Sequence, residues 1–191
     1  MEKKKVAKYV GLGIVLIVLI AFASIGLVMG DVMSYTATGS QTLNPNGTST
    51  GKALVVYDPG ITGTAKNVAA VIAGDLQAKG YTVTLAGIKS SNVMNTTGYN
   101  VIVIGGPVYA GQPASSLQSY LSDITPPKEA KIGVFTTGSV AANSNNTAFI
   151  KKEIALNNTN IYQVADVMKF VDTNTINQKA SEFVNGLLGQ S

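Results

Sequence analysis

Three stretches of the chain gather residue types that bind ligands without acid–base chemistry. The first is Asp58-Pro59-Gly60-Ile61-Thr62-Gly63-Thr64-Ala65, where two threonine hydroxyls and two glycines lead into a helical pattern. Hydroxyls and unobstructed amides at the start of a helix suit an anion, because the helix dipole and the unpaired N–H groups both favour negative charge there. The same run also suits an ordinary strand-to-helix turn with threonine as the cap. It is no Walker loop, since no Gly-Lys-Ser/Thr follows. The second stretch, Gly106-Pro107-Val108-Tyr109-Ala110-Gly111, sets one aromatic among small residues. Tyr109 can offer a flat apolar wall, and its glycines let backbone approach a ligand closely. The third, Thr137-Gly138-Ser139, supplies further hydroxyls and an open amide.

What is missing narrows the chemistry further. The chain has no histidine and no cysteine. That removes a Ser-His-Asp triad, a thiol nucleophile, imidazole or thiolate metal ligands, disulfides and a lipid-bearing cysteine. No acidic cluster suggests a carboxylate metal site, so neither catalytic nor metal-binding residues are expected. All 14 positive charges are lysines, and the lack of arginine argues against bidentate phosphate or nucleic-acid recognition. Lys3, Lys4, Lys5 and Lys8 stand ahead of the folded region, where lysines and acids nearly balance. The pI near 9.2 is therefore no nucleic-acid signal.

Residues 9–30 (YVGLGIVLIVLIAFASIGLVMG) carry no charge and are long enough to span a bilayer core, which needs roughly 20 apolar residues. The flank 1–8 is basic and Asp31 follows, so the positive-inside rule puts the N-terminus in the cytoplasm and the rest outside, in a single pass through the cytoplasmic membrane. The alternative is a signal peptide cleaved near Ala23, which secretes the domain. Residues 31–51, rich in Ser, Thr, Gly and Asn, read as a flexible linker. Four Asn-x-Ser/Thr sequons, beginning at Asn46, Asn95, Asn145 and Asn157, fit an exported protein.

Residues 52–191 must position the three loops, and they read as alternating strands and helices. Continuous apolar runs at 52–57 (KALVVY) and 100–104 (NVIVI) suit strands buried on both faces. Strands are also expected at 81–85, at 131–136 and within 161–170, and helices at 65–79, 114–124, 147–156 and 174–188. This alternation predicts a doubly wound α/β domain around a five-stranded parallel sheet, order 2-1-3-4-5, with helices on both faces. Ligands of such sheets sit beyond the carboxyl ends of the strands, which selects the loops 58–64, 105–113 and 137–146.

At those loops the chain resembles the flavodoxin family over residues 52 to about 188. VVYDPGITGTAKNVA stands where flavodoxins carry a phosphate loop, VIVIGGPVYAG resembles the third-strand loop that meets the flavin ring, and KIGVFTTGS resembles the strand and loop on the ring's other side. The resemblance implies a flavodoxin-like fold and FMN as cofactor. The phosphate would lie against Asp58, Gly60, Ile61, Thr62, Gly63, Thr64 and Ala65. The ring would lie against Gly106, Pro107, Val108, Tyr109, Ala110 and Gly111, and against Thr137, Gly138 and Ser139. It further implies electron transfer with a redox partner protein or small acceptor, by an exported, membrane-anchored flavoprotein of archaeal origin. Related enzymes reduce quinones. The sequence departs from the family at Asp58 and Pro59, where Ser or Thr usually follows the strand. Pro59 donates no amide, and a carboxylate about 5 Å from a phosphate opposes it by roughly 3 kcal/mol. Those departures support a second expectation, a flavodoxin-fold binding or structural module without FMN.

Overall fold

The computed structural model describes residues 9–23, 37–139, 148, 150–151 and 164–190. Helix α1 covers 9–23. Among the described residues no helix is long and apolar enough to cross a membrane, and residues 24–30 of the expected membrane-spanning segment lie outside them.

The domain is built on the strands β1 (Ser40–Leu43), β2 (Gly51–Tyr57), β3 (Tyr81–Gly87), β4 (Val101–Tyr109), β5 (Gln112–Pro113), β6 (Lys131–Thr137) and β7 (Val164–Phe170), with helices α2 (Thr64–Ala78), α3 (Ser115–Asp123) and α4 (Ile176–Leu188). The sheet order is β1-β3-β2-β4-β6-β7, with β5 paired to β4 alone. Along β3-β2-β4-β6-β7 all pairing is parallel, while β5 pairs antiparallel with β4. The expected all-parallel, five-stranded sheet and its order need correction, because β1 adds an antiparallel edge strand and makes the sheet mixed. β1 comes from the stretch 31–51 expected to be a linker. Its sequence, SQTL, is mostly exposed and carries no apolar run, so backbone pairing to β3 alone makes it a strand. Extra backbone bonds extend this edge, with Gly87 N–H donating to Gly39 O and Lys89 N–H to Ala37 O, both at 2.8 Å. The expected helix over 147–156 lies largely outside the described residues, as do 161–163.

The sheet is buried on both faces, as parallel strands demand. On one face Val55, Val103 and Phe135 meet Val68, Ile72 and Leu76 of α2 and Phe183 and Leu187 of α4. On the other, Val56, Ile104 and Val134 meet Leu117, Leu121 and Ile124 at α3. Gly105 faces the first side, and a Cβ there would run into the Phe135 ring. The glycine therefore makes room for an aromatic beneath the sheet's carboxyl end.

Candidate functional site

Two successive rows of residues end the sheet. Gly106, Thr136 and Lys169 are register partners, and so are Pro107, Thr137 and Phe170 one residue further on. Because side chains alternate along a strand, the two rows face opposite sides. The second row lines a cleft of about 350 Å³, together with Thr62, Thr64, Val108, Tyr109, Gly138, Ser139, Val171 and Thr173. Phe170 stands edge-on to Phe135, with ring centroids 5.9 Å apart. The cleft thus has an aromatic base.

The first loop sits at one side. Asp58 is fully buried, and its backbone N–H donates to Gly105 O at 2.9 Å. Its carboxylate accepts a bond from the Gly60 N–H at 3.0 Å and another from the Ser116 hydroxyl of α3. Asp58 therefore faces away from the cleft and caps the turn, which corrects the expectation that it lies against a phosphate. Gly60 has φ +63, and a Cβ there would stand 2.9 Å from Pro107 Cγ, so this tight turn requires glycine twice over. Ile61 is half exposed, and its N–H donates to Tyr109 Oη at 3.2 Å. Thr62 Oγ1 and Thr64 Oγ1 are 2.9 Å apart. α2 starts behind Gly63, a left-handed residue, with no side-chain cap. Its first-turn amides carry the positive end of the helix dipole beside two hydroxyls.

The second loop is a hairpin. β4 runs on to Tyr109 and folds back onto β5, pairing Val108 with Pro113 and Tyr109 with Gln112. Ala110 (φ 48) and Gly111 (φ 79) form the two-residue turn, with the paired positive φ angles that a type I′ turn needs. This hairpin aims Tyr109 at the first loop. In the third loop, Gly138 N–H donates to Phe170 O at 3.2 Å, tying it to the end of β7.

Of the residues expected at the site, the cleft brings together Thr62, Thr64, Pro107, Val108, Tyr109, Thr137, Gly138 and Ser139. It does not take in Asp58, Gly60, Ile61, Gly63, Ala65, Gly106, Ala110 or Gly111. Asp58 and Gly60 form the turn beneath, Gly106 lies within β4 beside Asp58, and Ala110 and Gly111 form the hairpin tip. Sequence reading missed Phe170, Val171 and Thr173. The signal was available, because a fifth parallel strand must also end beside the cleft, and an aromatic stands at that end.

Fold and cleft together define a doubly wound α/β domain with a cleft at the carboxyl ends of the strands. A family model described as "Flavodoxin domain" matches residues 54–185, most of the chain. The chain belongs to that family. Among solved structures it is similar to oxidised flavodoxin 2 from Bacillus cereus, at 18% identity and TM-score 0.53, covering 72% of this chain and 98% of that one. It is also similar to a Streptococcus pneumoniae flavodoxin, at 12% identity and TM-score 0.56, covering 72% and 97%. A third similarity is to rubredoxin oxygen:oxidoreductase from Desulfovibrio gigas, at 15% identity and TM-score 0.53, where 73% of this chain spans 36% of that protein. A search of curated protein sequences finds no match. At these identities the structures speak for the fold alone.

Proposed function

We propose that the domain binds FMN in the 350 Å³ cleft and serves electron transfer. The carrying observation is the pairing of two unlike ends in one cleft. At one end, the uncapped start of α2 and the hydroxyls of Thr62 and Thr64 suit a phosphate. At the other, Pro107, Val108 and Tyr109 face Thr137, Gly138 and Ser139 over Phe170, which suits a flat aromatic ring. The Asp58 carboxylate is engaged by the Gly60 N–H and the Ser116 hydroxyl, and Asp58 is not among the residues lining the cleft. FMN, when bound, supplies the one- and two-electron chemistry, and the protein binds, orients and shields it. The test is direct: purified protein mixed with FMN should elute from gel filtration with flavin absorbance. Elution without it would sink the proposal.

The second part of the proposal is attachment outside the cytoplasmic membrane. Its support is the charge-free stretch 9–30 behind a basic flank. The chain also enters β1 beside Gly87 and Lys89, at the cleft end of the sheet, whereas α4 ends beside Lys131 at the opposite end. An N-terminal tether would hold the cleft toward the membrane, within reach of a membrane-bound redox partner or lipid-soluble acceptor. Protease treatment of intact cells should remove the domain, and mass spectrometry should find the N-terminal segment retained. A mature chain starting after Ala23 would instead make the protein secreted.

One observation favours the alternative of a flavodoxin fold without FMN. Several first-loop amides already have partners: Gly60 bonds Asp58, Ile61 bonds Tyr109, and Gly63 bonds Gly60 O. Titration with FMN separates the readings, since tight binding eliminates this one.

A further inference from the structure

The end of the domain opposite the cleft holds a hollow that the proposed FMN site leaves without a role. It measures about 230 Å³ and is lined by Pro45 and Asn46 of the loop between β1 and β2, by Gly74, Gln77 and Ala78 of α2, and by Gly80. Thr64 at the cleft and Gln77 at the hollow lie about 20 Å apart along α2, at 1.5 Å per residue. Gly74 is the unexpected residue, because glycine inside a helix is less stable than alanine. A Cβ on it would meet nothing within 4 Å, so no packing among the described residues requires glycine there, and its bareness keeps the hollow open. On the rim stands the sequon Asn46-Gly47-Thr48. Asn46 and Thr48 are both exposed, and neither side chain makes a hydrogen bond among the described residues. The other described sequon is tied into the fold. Asn95 Oδ1 accepts from Thr97 N–H at 3.1 Å, and the intervening Thr96 is buried with its hydroxyl on Thr125 O.

We propose that Asn46 is an N-glycan attachment site and that the first sugar of the glycan seats in this hollow. This rests on the reading of the domain as exported, and not on the FMN reading. The chain is the acceptor, and the co-reactant is a lipid-phosphate-linked sugar presented by a membrane glycosyltransferase. Asn46 Nδ2 attacks C1 of that sugar. The N–C1 bond forms, the bond from C1 to the phosphate oxygen breaks, the lipid phosphate leaves with the electron pair, and one Nδ2 proton passes to a base of the transferase. The Thr48 hydroxyl completes the acceptor signature two residues on. The walls of the hollow are mixed, as a sugar ring requires. Pro45 and Ala78 offer apolar surface to ring C–H groups. Gln77 donates through Nε2 to Asn44 O at 2.6 Å and has its Oε1 left to accept from a sugar hydroxyl.

The experiment uses the full-length protein recovered from the membranes of the cells that naturally make it. Peptide mass spectrometry should find a glycan mass on Asn46, lost in Asn46→Gln and in Thr48→Ala and retained in Thr48→Ser. Melting reads the seat: wild type should melt about 2–4 °C above Asn46→Gln. In a Gly74→Leu background the new side chain fills the hollow, so the glycan should persist while that difference vanishes. Comparing glycosylated and bare protein within each background cancels the effect of the substitution on the helix itself. If Gly74→Leu fails to fold, Gly74→Gln carries the same comparison. A bare Asn46 on a domain that protease removes from intact cells overturns the proposal and leaves export standing. A bare Asn46 on a domain that protease cannot reach overturns export and this proposal with it. A glycan whose loss leaves the melt unchanged, or a difference that survives Gly74→Leu, overturns the seat.

Discussion

The row Asp58-Gly106-Thr136-Lys169 and the row Pro107-Thr137-Phe170 stand one residue apart along the strands, yet they meet different surroundings. The first turns toward α3 and is polar and buried: Asp58 is held by Gly60 and Ser116, Thr136 Oγ1 has no hydrogen-bond partner among the described residues, and Lys169 lies under Gly138. The second turns toward the cleft and combines a ring, an imino ring and a hydroxyl. Both sit where the apolar core gives out, but one closes the fold and the other is open to a ligand. The difference teaches that strand alternation divides buried from cleft-facing positions at the end of the sheet.

The sharpest way to break this comparison is at its largest side chain. Phe170→Ala removes the aromatic base of the cleft and its edge contact with Phe135, and should lower stability by about 3–5 kcal/mol. Urea melts would read it, and FMN affinity should fall with it. Asp58→Ala belongs to the other row. It strips the acceptor from the Gly60 N–H and the Ser116 hydroxyl and should lower stability by about 2–3 kcal/mol. If the same change leaves stability intact and tightens FMN, Asp58 faces the phosphate after all and the division between rows fails.

Thr62→Ala combined with Thr64→Ala should show the opposite pattern. Both side chains lie at the surface of the cleft, so the melt should stay put while FMN affinity falls by about 1–2 kcal/mol. Riboflavin, with no phosphate, should be unaffected. Thr136→Val sharpens the buried row. It replaces a buried hydroxyl with no partner among the described residues by a methyl group of similar shape and should raise stability by about 1 kcal/mol.

Asp75 of α2 gives the smallest effect and lies away from both rows. Burial raises its pKa above the ordinary 3.8, with Lys79 pulling the other way. An acid whose folded pKa is raised holds its proton more tightly when folded, so its contribution to stability is present at low pH and is lost as pH rises through the folded value. Asp75→Asn should therefore match wild type at pH below the ordinary carboxylate value of 3.8 and become slightly more stable than it as pH rises beyond that value. Thermal melts across that range check it, and an advantage largest at acid pH would reverse the assigned sign.

Much of the architecture was legible in residue order. The runs KALVVY and NVIVI are too apolar for anything but strands buried on both faces, and β2 and β4 are just that. The stripe Val68, Ile72, Leu76 marked α2, and Gly80 closed it. β1 was not legible, because SQTL has no apolar period and becomes a strand only by bonding to an edge that β3 leaves open. The continuation of β4 through Gly-Gly-Pro into a hairpin was hidden for a related reason: residues that break strands elsewhere are tolerated where the sheet ends and β5 folds back.

The sequence alone determined the fold class, the three loops that meet at the strand ends, and the absence of histidine and cysteine chemistry, because these follow from local periodicity and composition. Which residue in each loop faces the cleft was decided only by the tertiary structure. Within Asp58–Ala65 and Gly106–Gly111 neighbouring residues look equally suited to a ligand, but the register between strands sends Gly106 and Lys169 to one side and Pro107 and Phe170 to the other. Asp58 shows the same limit. Its charge was plain, but that it would be buried depended on Ser116, 58 residues further along and brought above it by α3. A carboxylate's effect on a site depends on where its field points, and only the packed structure sets that direction.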